Sequence, residues 1–159
     1  MDDIKINKNQ IIVLFKLDEV TYGLHLSAVE RVVNAVEITP LPMAPEIVMG
    51  VINFQGNIIP VMNLRKRFNL PLREIEPEDQ LVIAHMQQRL VMLPVDTVSG
   101  IHELESYQLS DKEGVLVYTD YLSDIAKIDD DIVLIHDLEK FLLPDEQKML
   151  DESLSIDAQ

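Results

Sequence analysis

The chain has 159 residues, with 13 Lys and Arg against 28 Asp and Glu, a net charge of −15. That balance argues against DNA or RNA as the main partner, because neutralising phosphates takes clustered basic side chains, and the absence of Cys excludes disulfides, thiolate metal sites and thiol catalysis. The length suits one domain, or two small fused ones, with a sizeable core.

The N-terminus, Met1-Asp2-Asp3-Ile4-Lys5, carries acid where a signal peptide carries positive charge. No apolar run approaches the ~20 residues needed to span a bilayer. The expectation is a soluble, cytoplasmic chain with no direct membrane insertion and a flexible stretch over 1–9.

The aliphatic content is mostly β-branched, 17 Ile and 16 Val, which suits pleated surfaces. Ten short apolar runs bounded by turn residues predict strands at Ile11–Leu17, Val20–Leu26, Arg31–Val36, Val48–Phe54 and Asn57–Met62, then at Leu81–Met86, Leu90–Val95, Gly114–Tyr118, Leu122–Ile128 and Ile132–His136. Helical signal is short. Asn63 and Asp137 each follow a strand and cap a turn, over Asn63–Phe68 and Asp137–Leu142. A last, acidic helix starts near Pro144 and gives way to a disordered tail.

The two strand-to-helix units align at an offset of 74. Ile59, Val61, Leu64 and Lys66 then face Val133, Ile135, Leu138 and Lys140, and Gly50-Val51-Ile52 faces Asp124-Ile125-Ala126. This predicts two related five-stranded units, about 10–70 and 80–143, joined by the acidic, Pro-containing stretch 71–79. Residues 1–79 carry 8 basic and 11 acidic groups, net −3; residues 80–159 carry 5 and 17, net −12.

No catalytic constellation emerges. The five Gly form no phosphate-binding loop, and the four His (25, 85, 102, 136) share no metal spacing. His136-Asp137 reads as a strand end with a helix cap, and Asp129-Asp130-Asp131 as a solvated turn without the alternation of a calcium loop. No catalytic residue, metal or cofactor is expected. Arg65-Lys66-Arg67, with Arg73 nearby, is the one positive island, open to three readings: a weak nucleic-acid contact, a solvated helix end, or a protein-docking surface. The richest segment is Gly50–Arg65. It reads as strand, tight turn at Gln55-Gly56 with Gly56 at positive φ, strand bent or at an edge at Pro60, then helix.

That segment, GVINFQGNIIPVMNLR, resembles the signature of the CheW-like domain, the family of chemotaxis coupling proteins. Tyr22-Gly23-Leu24, Val29–Val33, Leu93–Val98, Tyr121–Lys127 and Ile132–Phe141 continue the likeness over about 10–143. No receiver, kinase or transmembrane part accompanies it, so the chain resembles a free-standing member. The resemblance implies an all-β fold of two five-stranded SH3-like β-barrels side by side, with short helices after the barrel strands and at the C-terminus.

It also implies a non-catalytic adaptor, monomeric on its own and recruited to membrane-associated chemoreceptor arrays. Its partners would be the cytoplasmic tip of methyl-accepting chemotaxis receptors and the regulatory domain of the histidine kinase CheA. The alternative is the same adaptor role in a non-motility chemosensory pathway, controlling pili or gene expression. Carried over by position, receptor or kinase contact would fall on Val29, Arg31, Val32, Val33, Gly50, Asn53, Phe54, Gln55, Gly56, Arg65, Val95 and Val98. Gly56, Asn63 and Asp137 would serve as turn and caps. Four positions depart from the family pattern: Arg31 stands where an acid is usual, Gln55 for Arg, Asn63 for Asp and Asp124 for Gly.

Overall fold

The structure, a computed structural model, describes residues 10–86, 89–110 and 122–157. Among the described residues eleven strands are formed: β1 (Ile11–Leu17), β2 (Val20–His25), β3 (Val29–Asn34), β4 (Val48–Phe54), β5 (Asn57–Met62), β6 (Gln80–Met86), β7 (Arg89–Val95), β8 (Thr97–Glu103), β9 (Leu109–Ser110), β10 (Leu122–Ile128) and β11 (Asp131–His136). Two α-helices accompany them, α1 (Leu64–Arg67) and α2 (Pro144–Asp157). The predicted strand Gly114–Tyr118 and the stretch 1–9 lie outside the described residues.

One sheet runs β3-β6-β7-β5-β4, and the other β8-β1-β2-β11-β10 with the two-residue β9 added at its edge. The all-β, two-sheet expectation therefore holds, but the stretch 71–79 does not divide the sheets. The β1–β2 hairpin belongs to the sheet of β10 and β11, and the β6–β7 hairpin to the sheet of β4 and β5. The two repeats exchange their first hairpins. The predicted units 10–70 and 80–143 describe the repeat in the sequence, while each sheet is assembled from both.

The repeat itself is visible in backbone detail. β5 and β11 each lie parallel to a hairpin strand, β7 and β2 respectively. Register shifts fall between Val48 and Gly50 in β4, and between Leu122 and Asp124 in β10, at the same offset of 74. The isolated bridge Thr39↔Val51 stands where β9 pairs with Ile125. Arg31 on β3 lies over the Phe54 ring on β4, so the two outer strands of that sheet come together, consistent with an SH3-like barrel.

Alternation along the strands explains why the apolar runs are nearly continuous. Ile12 and Leu14 point into the core of the β1-containing sheet with Val133 and Ile135, while Phe15 and Leu17 point the other way. Leu81 and Ile83 fill the core of the β6-containing sheet with Ile59 and Val61, while Val82, Ala84 and Met86 face out of it. The outward sets meet in a third and largest cluster between the sheets. Strands buried on both faces carry apolar residues at successive positions. Helix α2 runs to Asp157, beyond the expected short helix and tail, because Leu150 is fully buried in that inter-sheet cluster.

Candidate interaction surface

The positive island is an internal clasp. Arg65, in the first turn of α1, is almost fully buried. Its Nη1 donates to Asp18 at 2.9 Å in the β1–β2 turn, and its Nη2 to Asp96 at 2.7 Å between β7 and β8. Arg73 donates to both oxygens of Asp79 at 2.8 Å and to Asp96 at 2.6 Å. The Asp18 amide donates to the other Asp96 oxygen at 2.7 Å. Lys66 pairs with Glu46 and Arg67 with Glu146.

Burial works against the charge of Arg65, but its bonds to Asp96 and Asp18 outweigh it and raise its pKa. Burial likewise disfavours the Asp96 and Asp79 carboxylates. The hydrogen bonds from Arg65 to Asp96 and from Arg73 to Asp79 do most to oppose it, and both carboxylates end below their usual range. Arg65 is thus engaged inside the protein. Its partners lie 47 and 31 residues away in sequence, which is why local reading presents it as a free cation.

The caps are local. Asn63 Oδ1 accepts from the Lys66 amide at 3.1 Å, and Asp137 Oδ1 from the Glu139 amide at 3.1 Å. In the β4–β5 turn Gln55 has φ 52° and Gly56 φ 86°, the two positive values that a type I′ hairpin requires. Asn53 Oδ1 accepts from the Gly56 amide at 3.0 Å. Asp124 needs no positive φ and so takes a side chain where Gly is usual in the family.

Gly50 is different: its φ is +152°, and a Cβ there would lie 2.3 Å from the Thr39 carbonyl oxygen. It is buried, and its missing side chain makes room for the backbone. Val95 is also a core residue, only 1% exposed in the inter-sheet cluster. Val33 packs instead against the core of its own sheet. Val29, Val32 and Val98 are half-buried at the margin of the inter-sheet cluster. Val29 and Val32 share that face despite their odd spacing because β3 bulges between Val29 and Arg31.

The remaining candidates form an accessible seam. The Arg31 guanidinium carbon sits 5.7 Å from the Phe54 ring centroid, within cation–π range. Arg31, Phe54 and Gln55 line one hollow of about 100 Å³ together with Glu30, Asn57, Ile83 and Leu90. Of the five arginines, four are paired with carboxylates, and among the described residues Arg31 alone is not. The two family departures of opposite charge sense, Arg31 and Gln55, are neighbours in space.

Three histidines that look scattered in sequence, His25, His85 and His136, line a cavity of about 280 Å³ where the two sheets meet. Among the described residues no three His, Asp or Glu side chains are placed to hold a metal. His136 is buried against Phe68, with ring centroids 4.5 Å apart, and hydrogen-bonds the Leu134 carbonyl at 3.1 Å. Burial pushes its pKa down to about 4, only partly opposed by that bond. Among the described residues no helix is long and apolar enough to cross a membrane.

The family model described as CheW-like domain matches residues 12–145. The chemotaxis protein CheW of Klebsiella aerogenes is 25% identical over 89% of this chain and 87% of its own length. That of Thermotoga maritima is 29% identical over 80% and 84%. A crystal structure of the scaffolding protein TtCheW from Thermoanaerobacter tengcongensis is similar to this fold with a TM-score of 0.80 at 32% identity, covering 89% of this chain and 98% of the other.

Proposed function

The chain belongs to the CheW-like domain family, and from that premise we propose that it is a non-catalytic adaptor. It couples the cytoplasmic tips of methyl-accepting chemoreceptors to the regulatory domain of the histidine kinase CheA, at membrane-associated receptor arrays. The observation that carries this reading is the contrast between the two arginine environments. Arg65 is spent inside the protein on Asp18 and Asp96, whereas Arg31 lies on Phe54 beside Gln55 at an accessible seam between β3 and β4. Such a seam, rigid and held by barrel closure, offers a preorganised surface to a second protein. The half-buried Val29, Val32 and Val98 add an apolar margin at which a receptor helix can lay its apolar face.

The experiment is reconstitution. The purified chain is mixed with a receptor signalling fragment and a CheA kinase, and autophosphorylation of the kinase is followed. Receptor-dependent activation that needs this chain is expected; unchanged kinase activity on adding it would sink the proposal. The arginine at 31 and the glutamine at 55 favour a partner set whose charges differ from the family's usual one, including an adaptor role outside motility. Swimming and surface-motility assays of a deletion strain distinguish those two settings.

A further inference from the structure

The largest cavity among those described has about 420 Å³ and lies apart from the seam, between the chain leaving β3 and the connection to β6. Its walls are apolar: Val36, Ile38, Met49, Ile75 and Pro77. Its rim carries Glu37, Glu74 and Glu76, and among the described residues no basic side chain lines it. Both walls are fixed. The Ala35 amide donates to the Asp79 carbonyl at 3.0 Å, and Thr39 and Val51 exchange backbone bonds of 2.9 and 2.7 Å. Arg73 grips Asp79, whose Oδ2 also accepts from the Glu76 amide at 2.8 Å. The cleft is therefore held open by bonds on both sides, and Val36 remains 52% exposed at its edge.

We propose that this cleft is a docking site for a protein segment presenting one large apolar side chain flanked by Lys or Arg. An apolar cavity of this size accepts an aromatic or branched aliphatic anchor. The rim decides the flanks. Among the described residues only Glu76 of its three glutamates meets a basic group, Arg73 at 3.6 Å, so a cationic segment finds carboxylates without a basic neighbour there on either side of its anchor. An acidic segment meets like charge, which selects against it.

The test uses the full chain, labelled with nitrogen-15 and titrated with three peptides of equal length carrying Lys-Phe-Lys, Glu-Phe-Glu or Lys-Ala-Lys at the centre. The Lys-Phe-Lys peptide is expected to give saturable shifts at the amides of Val36, Ile38, Met49 and Ile75, with the other two binding at least tenfold more weakly. Replacing the exposed rim as Glu37→Lys with Glu74→Lys should weaken Lys-Phe-Lys at least tenfold and strengthen Glu-Phe-Glu. Equal binding of the Lys- and Glu-flanked peptides, shifts confined to other surfaces, or a rim variant that binds as before overturns the proposal. So does a concentration-dependent shift of the same amides without peptide, which makes a second copy of this chain the occupant. Kinase coupling is read separately, so failure here leaves the adaptor role untouched.

Discussion

Arg65 donates to the Asp96 carboxylate at 2.7 Å at the one residue where the chain passes from β7 in one sheet to β8 in the other. The same guanidinium holds Asp18, in the turn of the hairpin that β8 pairs with. The clasp thus pins both the crossover and the exchanged hairpin. Removing the arginine leaves Asp18 without its cation and Asp96 with Arg73 alone. Arg65→Met is expected to destabilise the fold by about 1 to 3 kcal/mol, less than for a fully buried pair because both carboxylates are partly exposed and Asp96 keeps Arg73. Arg65→Lys should lose less, because one ammonium still supplies charge but cannot fork between two acids. Urea denaturation at neutral pH measures both, and a loss below about 0.5 kcal/mol for the methionine variant would contradict the clasp.

Gly50 and Gly56 separate two uses of glycine in one hairpin. A Cβ at Gly50 would strike the Thr39 carbonyl oxygen at 2.3 Å and the Ile38 side chain at 2.7 Å. A Cβ at Gly56 meets nothing within 4 Å. Gly56→Ala therefore costs only the strain of a positive φ, about 1 kcal/mol. Gly50→Ala must also push backbone aside and break the Thr39–Val51 bridge, so a loss several times larger is expected. Comparable melting temperatures for the two variants would falsify this distinction.

What the sequence makes legible follows from how local each cause is. Ile11–Leu17 reads as a strand because both of its faces are buried, and the Gln55-Gly56 turn reads from the residues that need positive φ. β8 escapes notice because Thr97–Glu103, with Ser99, Gly100 and His102, has no apolar run and only its alternate positions are sheltered. β3 begins at Val29, earlier than the apolar run from Arg31, because the bulge there breaks the alternation. The repeat at offset 74 is visible in sequence, but the hairpin exchange is not, since which sheet a hairpin joins is decided by long-range pairing. The site divides the same way. Arg31, Phe54 and Gln55 meet through barrel closure across 23 residues, while Asp18 and Asp96 find Arg65 only in three dimensions.

Burial of His136 makes stability depend on pH. Its folded pKa, about 4, lies below the ordinary value of 6.5, so the unfolded chain binds the proton more readily. Stability from this group is complete above pH 6.5 and falls as pH drops toward 4, by at most about 3 kcal/mol. Below that, protonation of Asp96 and Asp79, both depressed, unlocks the clasp in turn. His136→Phe should flatten the profile between pH 6.5 and 4 and leave the lower transition in place. A profile unchanged by the substitution would assign the acid sensitivity elsewhere.

Helix α2 belongs to the fold. Leu150 is fully buried between the sheets, and Glu146 and Asp151 pair with Arg67 and Arg89. Leu150→Ala is expected to cost about 2 to 5 kcal/mol, as for other buried leucines. Met149→Ala, one position away and 47% exposed, serves as the control and should cost far less. Denaturation midpoints of the two variants compare them directly, and equal losses would mean that α2 does not seat Leu150 in the core.

Charge at the seam should set partner choice rather than fold. Arg31 and Gln55 are both exposed and make no ion pair among the described residues, so exchanging them for the charges usual in the family disturbs no internal bond beyond the stacking on Phe54. Arg31→Glu with Gln55→Arg places opposite charges around the same hollow, where they can pair with each other. The double variant is expected to keep its stability within about 1 kcal/mol, the scale of an exposed ion pair or cation–π contact. Its affinity should change by tenfold or more for a partner that meets Arg31 with an acid, because reversing a charge at a contact converts attraction into repulsion. Pull-downs of receptor fragments and kinase regulatory domains with the wild type, each single variant and the double variant resolve the two positions. The single variants show which position carries the change; if the double variant retains the same partners as the wild type in the same proportions, the seam does not select them.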